Sequence, residues 1–161
     1  DKENNEEHLN ITLNAPVNGK SVEISTVNDS TFANEIMGKG IAIIPEDGKV
    51  YSPANGKIVS VFPSKHAITI KTDDGVELLI HVGIDTVNLK GKYFESKVSD
   101  GQDVEAGDLL LIFDKDQIVK EGYDPTVVMF VTNSEKYDVL KNSLAEESIT
   151  INNTVLELGW R

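Results

Sequence analysis

After a polar start, DKENNEEH at residues 1–8, the apolar positions fall into short runs separated by turn dipeptides. Five dipeptides stand out: Asn18-Gly19, Asp47-Gly48, Asn55-Gly56, Asp74-Gly75 and Asp100-Gly101. Each joins a side chain that tolerates left-handed backbone to a glycine, the composition of tight hairpin turns. Between them, segments rich in Val, Ile and Thr occupy 22–27, 41–44, 58–62, 66–71, 76–82, 109–113, 127–132 and 154–158. Their length and β-branched content predict strands rather than helices. Many short strands at close spacing predict an all-β, antiparallel β-sandwich or barrel-like fold. Helix is expected only in short pieces. One runs from Ser30, as cap, through Met37 to Gly38. A second follows Asp114, where Gln117 completes a capping box and Gly122 ends the turn. A third follows Thr132, where Glu135 completes a box ahead of a helix over 135–142. Residues 1–8 have neither period nor apolar content and read as a flexible acidic tail or linker remnant, which leaves 9–161 as one domain.

The pattern contains an internal echo. Ala15-Pro16-Val17-Asn18-Gly19-Lys20 resembles Ser52-Pro53-Ala54-Asn55-Gly56-Lys57, and apolar residues follow at matching offsets, Val22 with Val59 and Ile24 with Val61. A proline, then an Asn-Gly turn, then a strand, found twice, points to a duplicated supersecondary unit. A further run, Val98-x-x-Gly101-x-x-Val104-x-x-Gly107-Asp108-x-Leu110, has the three-residue spacing of the turns in biotinyl and lipoyl carrier domains.

Composition narrows the function. The chain of 161 residues has 15 Lys and Arg against 27 Asp and Glu, a formal charge of −12. That sign argues against binding to nucleic acid or to an anionic membrane surface. There is no cysteine, which removes disulfides, thiolate metal sites and a cysteine nucleophile. No run approaches the ~18 apolar residues of a membrane span, and the acidic start lacks the features of a secretory signal. A cytoplasmic location without membrane insertion is expected.

Of three histidines, His8 lies in the polar start, while His66 and His81 flank a predicted hairpin. A two-residue or four-residue turn centred on Asp73-Asp74 sets His66 directly opposite His81; a two-residue turn at Asp74-Gly75 sets His81 opposite Ile68. Either register puts both imidazoles on one face, because opposed residues share a face. Ile68, Ile70 and Leu79 are then their expected neighbours, and Ser64 adds a hydroxyl by the period of two if the strand continues through it. Three readings stay open at this point. The pair is structural; or it binds a metal with a carboxylate such as Asp85; or one imidazole is a nucleophile for a phosphoryl group while the other donates to the transferred oxygens.

At these residues the sequence becomes familiar. Val76-Glu77-Leu78-Leu79-Ile80-His81-Val82-Gly83-Ile84-Asp85-Thr86-Val87 resembles the signature of the glucose-family enzyme IIA domain of the bacterial sugar phosphotransferase system. Ala15-Pro16-x-x-Gly19, Gly38-x-Gly40-Ile41-Ala42-Ile43, Pro53-x-x-Gly56, Lys65-His66-Ala67-Ile68-Thr69-Ile70 and Gly101-Gln102-x-Val104-x-x-Gly107-Asp108 resemble its other blocks, in the same order. The resemblance implies an antiparallel sandwich built on a duplicated hybrid motif. It implies a phosphohistidine relay: the phosphocarrier HPr donates to His66, and His66 passes the group to a cysteine of an enzyme IIB domain. His81 then supports the phosphate, Ser64 joins the hydrogen-bond network, and Asp85 lies on the site rim. An apolar docking collar maps onto Phe32, Ile36, Met37, Phe62, Leu79 and Val87, a face on which regulatory proteins also dock. No cofactor is implied and no metal is required, since exchange between two phosphohistidines is nearly isoenergetic and needs positioning rather than an activator. No G-x-x-x-x-G-K-[ST] loop for ATP occurs.

Two rival readings follow from the same motifs. A lysostaphin-type zinc peptidase needs an H-x-H pair, which is lacking. A lipoyl or biotinyl carrier needs its modified lysine at a hairpin tip, whereas Lys115 in Asp114-Lys115-Asp116 falls where helix is expected. The charge of −12 sets a condition on the preferred reading. An acidic protein that accepts an anion needs a locally neutral, apolar site with its acids held outside it.

Overall fold

The computed structural model describes residues 10–142 and 147–161; the acidic start at 1–8 lies outside the described residues. Among the described residues fourteen strands form: β1 (Asn10–Asn14), β2 (Gly19–Val22), β3 (Lys39–Pro45), β4 (Lys49–Tyr51), β5 (Gly56–Val61), β6 (Ala67–Thr72), β7 (Glu77–Val82), β8 (Phe94–Ser96), β9 (Asp103–Val104), β10 (Leu109–Phe113), β11 (Val127–Val131), β12 (Tyr137–Asn142), β13 (Ser148–Ile149) and β14 (Thr154–Trp160). Two short α-helices join them, α1 (Ser30–Ala33) and α2 (Lys115–Lys120). Every strand pairing is antiparallel. The expected all-β antiparallel sandwich is therefore what forms.

One eight-stranded sheet has the order β13-β2-β3-β11-β7-β6-β5-β9, and two three-stranded sheets, β1-β14-β12 and β4-β10-β8, accompany it. The large sheet reads as a palindrome about its centre, with β2 and β3 mirrored by β5 and β6. This is the structural form of the sequence echo. Asn18-Gly19 leads into β2 and Asn55-Gly56 into β5. Both glycines admit the backbone of the neighbouring strand: a Cβ on Gly19 would lie 2.0 Å from the Ile44 carbonyl oxygen, and one on Gly56 would lie 2.4 Å from that of Lys71. The repeated glycine is thus required by close approach of main chains.

Side-chain alternation divides the core in two. Ile41, Ile43, Ile68, Ile70, Leu78, Ile80, Val82, Val127, Met129 and Val131 point to the main core, which draws on all three sheets. The alternate positions, Ala42, Ala67, Leu79, Val128 and Phe130, point the other way and pack with Val27, Phe32 and Ile84 in a second cluster. β11 is buried along its whole length because both its faces are covered.

Three local expectations are corrected. The segment 22–27 is not one strand: β2 ends at Val22 and Ile24–Thr26 form a 3-10 turn, which lets Val27 enter the second cluster. Helix α1 stops at Ala33 rather than continuing to Met37, and its cap is Asp29, whose carboxylate accepts from the N–H groups of Thr31 and Phe32 at 2.9 and 3.2 Å. The helix expected over 135–142 does not form. Thr132 uses its N–H on the Glu77 carbonyl at 2.8 Å instead of opening a helix, and 137–142 becomes β12, paired with β14, where the Tyr137 ring packs tilted against Trp160. Half of the capping box at Asp114 forms: its side chain accepts from the Gln117 N–H at 3.1 Å, while the Asp114 N–H donates to the Tyr93 carbonyl at 2.9 Å rather than to the Gln117 side chain.

Candidate functional site

The hairpin carrying the histidines has a different register from either one expected. Ala67 lies opposite His81 and Ile68 opposite Ile80. The turn is a three-residue loop, Asp73-Asp74-Gly75, closed by the Thr72 N–H to the Val76 carbonyl at 2.9 Å, with Gly75 left-handed at φ +90°. Glycine at the third loop position suits this geometry, in which a type I turn is followed by a left-handed residue. Strand alternation in this register puts His81 on the face of Ala67 and Leu79, and puts Ile68 and Ile70 on the opposite face. The two isoleucines are therefore not neighbours of the site.

The imidazoles nevertheless meet, with ring centroids 4.6 Å apart and planes at 81°. His66 reaches this position because it precedes β6. A tight turn over Pro63 and Ser64, closed by the Lys65 N–H to the Phe62 carbonyl at 2.8 Å, brings Lys65 to φ +59° and re-aims the next side chain. The His66 carbonyl is then tied to the Val82 N–H at 2.7 Å. The same turn, rather than strand alternation, sets the Ser64 Oγ 2.6 Å from His66 Nδ1.

The two rings have unequal surroundings. His66 is 3% exposed, while His81 is only half-buried. The Nδ1 of His81 donates to the Gly83 carbonyl oxygen at 2.8 Å. A carbonyl can only accept, so the proton sits on Nδ1, and in the neutral ring Nε2 keeps its lone pair. His66 has no such constraint, because a hydroxyl can donate to Nδ1 or accept from it. Both rings are held neutral. Burial lowers the pKa of His66. Burial, with the neighbouring His66 second, lowers that of His81 to about 4, against the raising influence of its Gly83 hydrogen bond and the Asp29 carboxylate.

Aromatic side chains wall the pair. Phe32 meets His81 edge-on with centroids 4.9 Å apart, Phe62 meets His66 at 5.7 Å, and Phe130 backs Phe32 at 5.3 Å. Phe32 and Phe62 of the expected collar thus meet the rings, and Leu79 packs with them in the second apolar cluster. Val87 is exposed four residues after Gly83. Ile36 and Met37 are also exposed, but they line a cleft with Thr132, Glu135 and Arg161. Asp85 is exposed with left-handed backbone and, among the described residues, makes no hydrogen bond to either ring. Among those residues no three His, Cys, Asp or Glu side chains cluster to hold a metal. Lys115 opens helix α2 rather than a hairpin tip. Sequence reasoning missed two contributors, the Gly83 carbonyl and Asp29. The glycine two residues after His81 was a visible signal for the first; the second depends on how the chain before α1 folds back.

Residues 11–137 match the family described as phosphoenolpyruvate-dependent sugar phosphotransferase system, EIIA 1. The chain is 48% identical over 135 residues to the PTS system glucose-specific EIIA component of Halalkalibacterium halodurans, covering 83% of this chain and 78% of that one. It is 46% identical over 124 residues to the glucosamine-specific EIICBA component of Bacillus subtilis, covering 77% of this chain but 20% of that longer protein. The solved structure of glucose permease IIA from Mycoplasma capricolum matches with a TM-score of 0.82 at 34% identity, over 92% of this chain and 95% of that one. The fold is therefore that of the β-sandwich EIIA components of sugar phosphotransferase systems. The chain belongs to the EIIA 1 family of the phosphoenolpyruvate-dependent sugar phosphotransferase system.

Proposed function

We propose that this domain carries a phosphoryl group on His81, taking it from the phosphocarrier HPr and passing it to a cysteine of an EIIB domain. The observation that carries the reading is the Nδ1–H of His81 fixed on the Gly83 carbonyl, which leaves Nε2 as the free lone pair on a half-buried ring. In the first step Nε2 forms a bond to phosphorus as the N–P bond of the donor breaks, and the donor imidazole recovers its lone pair. In the second step the N–P bond on His81 breaks as the cysteine thiolate forms an S–P bond. No proton moves on His81, because Nδ1 keeps its hydrogen throughout and the Gly83 carbonyl faces the positive charge that the ring acquires.

The sequence resemblance put the phosphoryl group on His66 with His81 in support, and the geometry favours the reverse. A nucleophile must be reached in line by a partner's phosphorus, and His66 is 3% exposed. His66 suits the supporting role: when Ser64 donates to its Nδ1, its proton sits on Nε2 and is available to the phosphoryl oxygens. The relatives are named for glucose, glucosamine and β-glucosides. Similar identity across those sugars supports a carrier that does not itself select the sugar.

The test is labelling by phosphoenolpyruvate, enzyme I and HPr. Wild type acquires an acid-labile, base-stable phosphate, His81→Ala acquires none, and His66→Gln is labelled but discharges poorly to EIIB. Absence of label from wild type overturns the carrier function. Full labelling of His81→Ala with none in His66→Ala returns the phosphoryl group to His66.

A further inference from the structure

The carbonyl that fixes His81 belongs to the peptide unit joining Gly83 to Ile84, and the other end of that unit is also held. Its N–H, on Ile84, donates to the Asp124 main-chain carbonyl at 2.9 Å. A trans peptide is planar and points its N–H and C=O in opposite directions, so anchoring one end aims the other. The preceding N–H, on Gly83, donates to the Thr126 carbonyl at 2.9 Å. These two acceptors are locked together by a side chain: Asp124 Oδ1 accepts from the Thr126 N–H at 2.9 Å and from the Thr126 hydroxyl at 2.6 Å. Thr126 is 7% exposed. From the other side, a Cβ on Gly83 would lie 2.3 Å from the Thr86 methyl carbon, and the Thr86 hydroxyl donates to the Val82 carbonyl. Gly83 has φ +80°, a conformation that only glycine adopts without strain.

From this chain of contacts we infer that Asp124 and Thr126 are positioning residues that set the tautomer of His81 through the Gly83–Ile84 peptide. The mechanism is geometric. The Asp124 turn fixes two carbonyl acceptors at the end of β11, these fix the orientation of one peptide plane beyond β7, and that plane presents its oxygen to His81 Nδ1. When the turn relaxes, the plane is free to tilt, Nδ1 loses its acceptor, and the proton distributes over both nitrogens. Every molecule with the proton on Nε2 has no lone pair there to receive phosphorus. This consequence for transfer rests on the reading that His81 carries the phosphoryl group; the tautomer itself does not.

The test uses 15N-labelled, unphosphorylated protein and long-range proton–nitrogen correlations of the His81 ring near pH 7, where that ring is neutral. Wild type shows a single Nδ1–H tautomer. Asp124→Ala removes the carboxylate acceptor and gives a mixture with a clear Nε2–H population. Thr126→Val, which removes only the hydroxyl from a residue next to β11, shifts the population the same way by less. Asp124→Asn keeps an oxygen at the acceptor position and restores the wild-type spectrum. Phosphoryl acceptance from phospho-HPr falls in parallel, by about 2- to 10-fold, the equilibrium worth of one hydrogen bond. If Asp124→Ala does not fold, Thr126→Val decides. A single Nδ1–H tautomer retained in the folded variants overturns the inference, as does a wild type protonated on Nε2. A tautomer that responds as described in a protein that takes no phosphate upholds the clamp and rejects the carrier function.

Discussion

The Nδ1 of His81 lies 2.8 Å from the carbonyl oxygen of Gly83, a residue two positions along the same chain. This bond favours a protonated Nδ1, yet it does not make the ring a cation, because burial and the adjacent His66 outweigh it and leave the pKa at about 4. A pH dependence of stability follows. The unfolded chain has an ordinary histidine near 6.5, so between that value and about 4 it binds more protons than the folded state does. Stability is then full above the unfolded value and falls with decreasing pH through the window. Between about pH 7 and about pH 5 His81 alone accounts for roughly 2 kcal/mol, and His66, also lowered, acts in the same direction. Urea unfolding at the two pH values measures this: wild type loses more stability than His81→Gln. Equal losses in the two proteins contradict the placement of a neutral ring.

The hydrogen bond between Ser64 and His66 Nδ1 makes a different prediction, because it bears on a ring with no fixed tautomer. Removing the hydroxyl in Ser64→Ala leaves acceptance of phosphate on His81 within about twofold. Onward transfer to EIIB slows by about 2- to 10-fold, the worth of one hydrogen bond to the donor ring. Ser64→Thr retains the hydroxyl and behaves as wild type. Single-turnover measurements of charging and discharge separate the steps. A charging defect equal to the discharge defect contradicts the division of roles between the two histidines.

Phe32 joins the fold to the site, since its ring touches both His81 and Phe130 and is 8% exposed. Truncation in Phe32→Ala opens a cavity in the second apolar cluster and is expected to cost about 3 kcal/mol. Water entering beside the imidazole reduces the desolvation that lowers its pKa. The His81 titration followed by NMR therefore moves upward from about 4 toward the ordinary value. A pKa that stays in place while stability falls separates packing from site polarity and removes Phe32 from the electrostatic account.

Which of these features the sequence disclosed has a physical pattern. Strand positions were legible because β-branched runs and Asn-Gly or Asp-Gly turns are local signals, and the repeat at Pro16 and Pro53 exposed the duplicated architecture. The facing of the hairpin was not legible. β6, β7 and β11 bury apolar residues on both faces, so hydrophobicity gave no register, and a loop of two, three or four residues fits Thr72-Asp73-Asp74-Gly75 equally well. The two histidines meet because a turn at Pro63 and Ser64 brings them together, and strand alternation does not. The helix expected over 135–142 was overridden by tertiary pairing of β12 with β14, a contact made by residues far along the chain. The distinct surroundings of His66 and His81 depend on carbonyl directions and burial, to which no side-chain pattern points.

Gly83 brings these threads to one position, and its substitution gives the sharpest combined outcome. Its backbone lies at φ +80°, where a Cβ is strained whatever the space, and here the space is also occupied by the Thr86 methyl carbon at 2.3 Å. Gly83→Ala is expected to lose about 1–3 kcal/mol of stability from the backbone term, with relief available only by rotating the peptide or displacing buried Thr86. Either movement shifts the oxygen that His81 uses. A folded Gly83→Ala protein therefore loses the single Nδ1–H tautomer, and phosphoryl acceptance falls more than it does in Ser64→Ala, which leaves that carbonyl untouched. Urea unfolding, ring-nitrogen shifts and charging by phospho-HPr read the three effects on one sample. A stable variant with wild-type charging shows that the carbonyl at 83 is not what holds His81 ready.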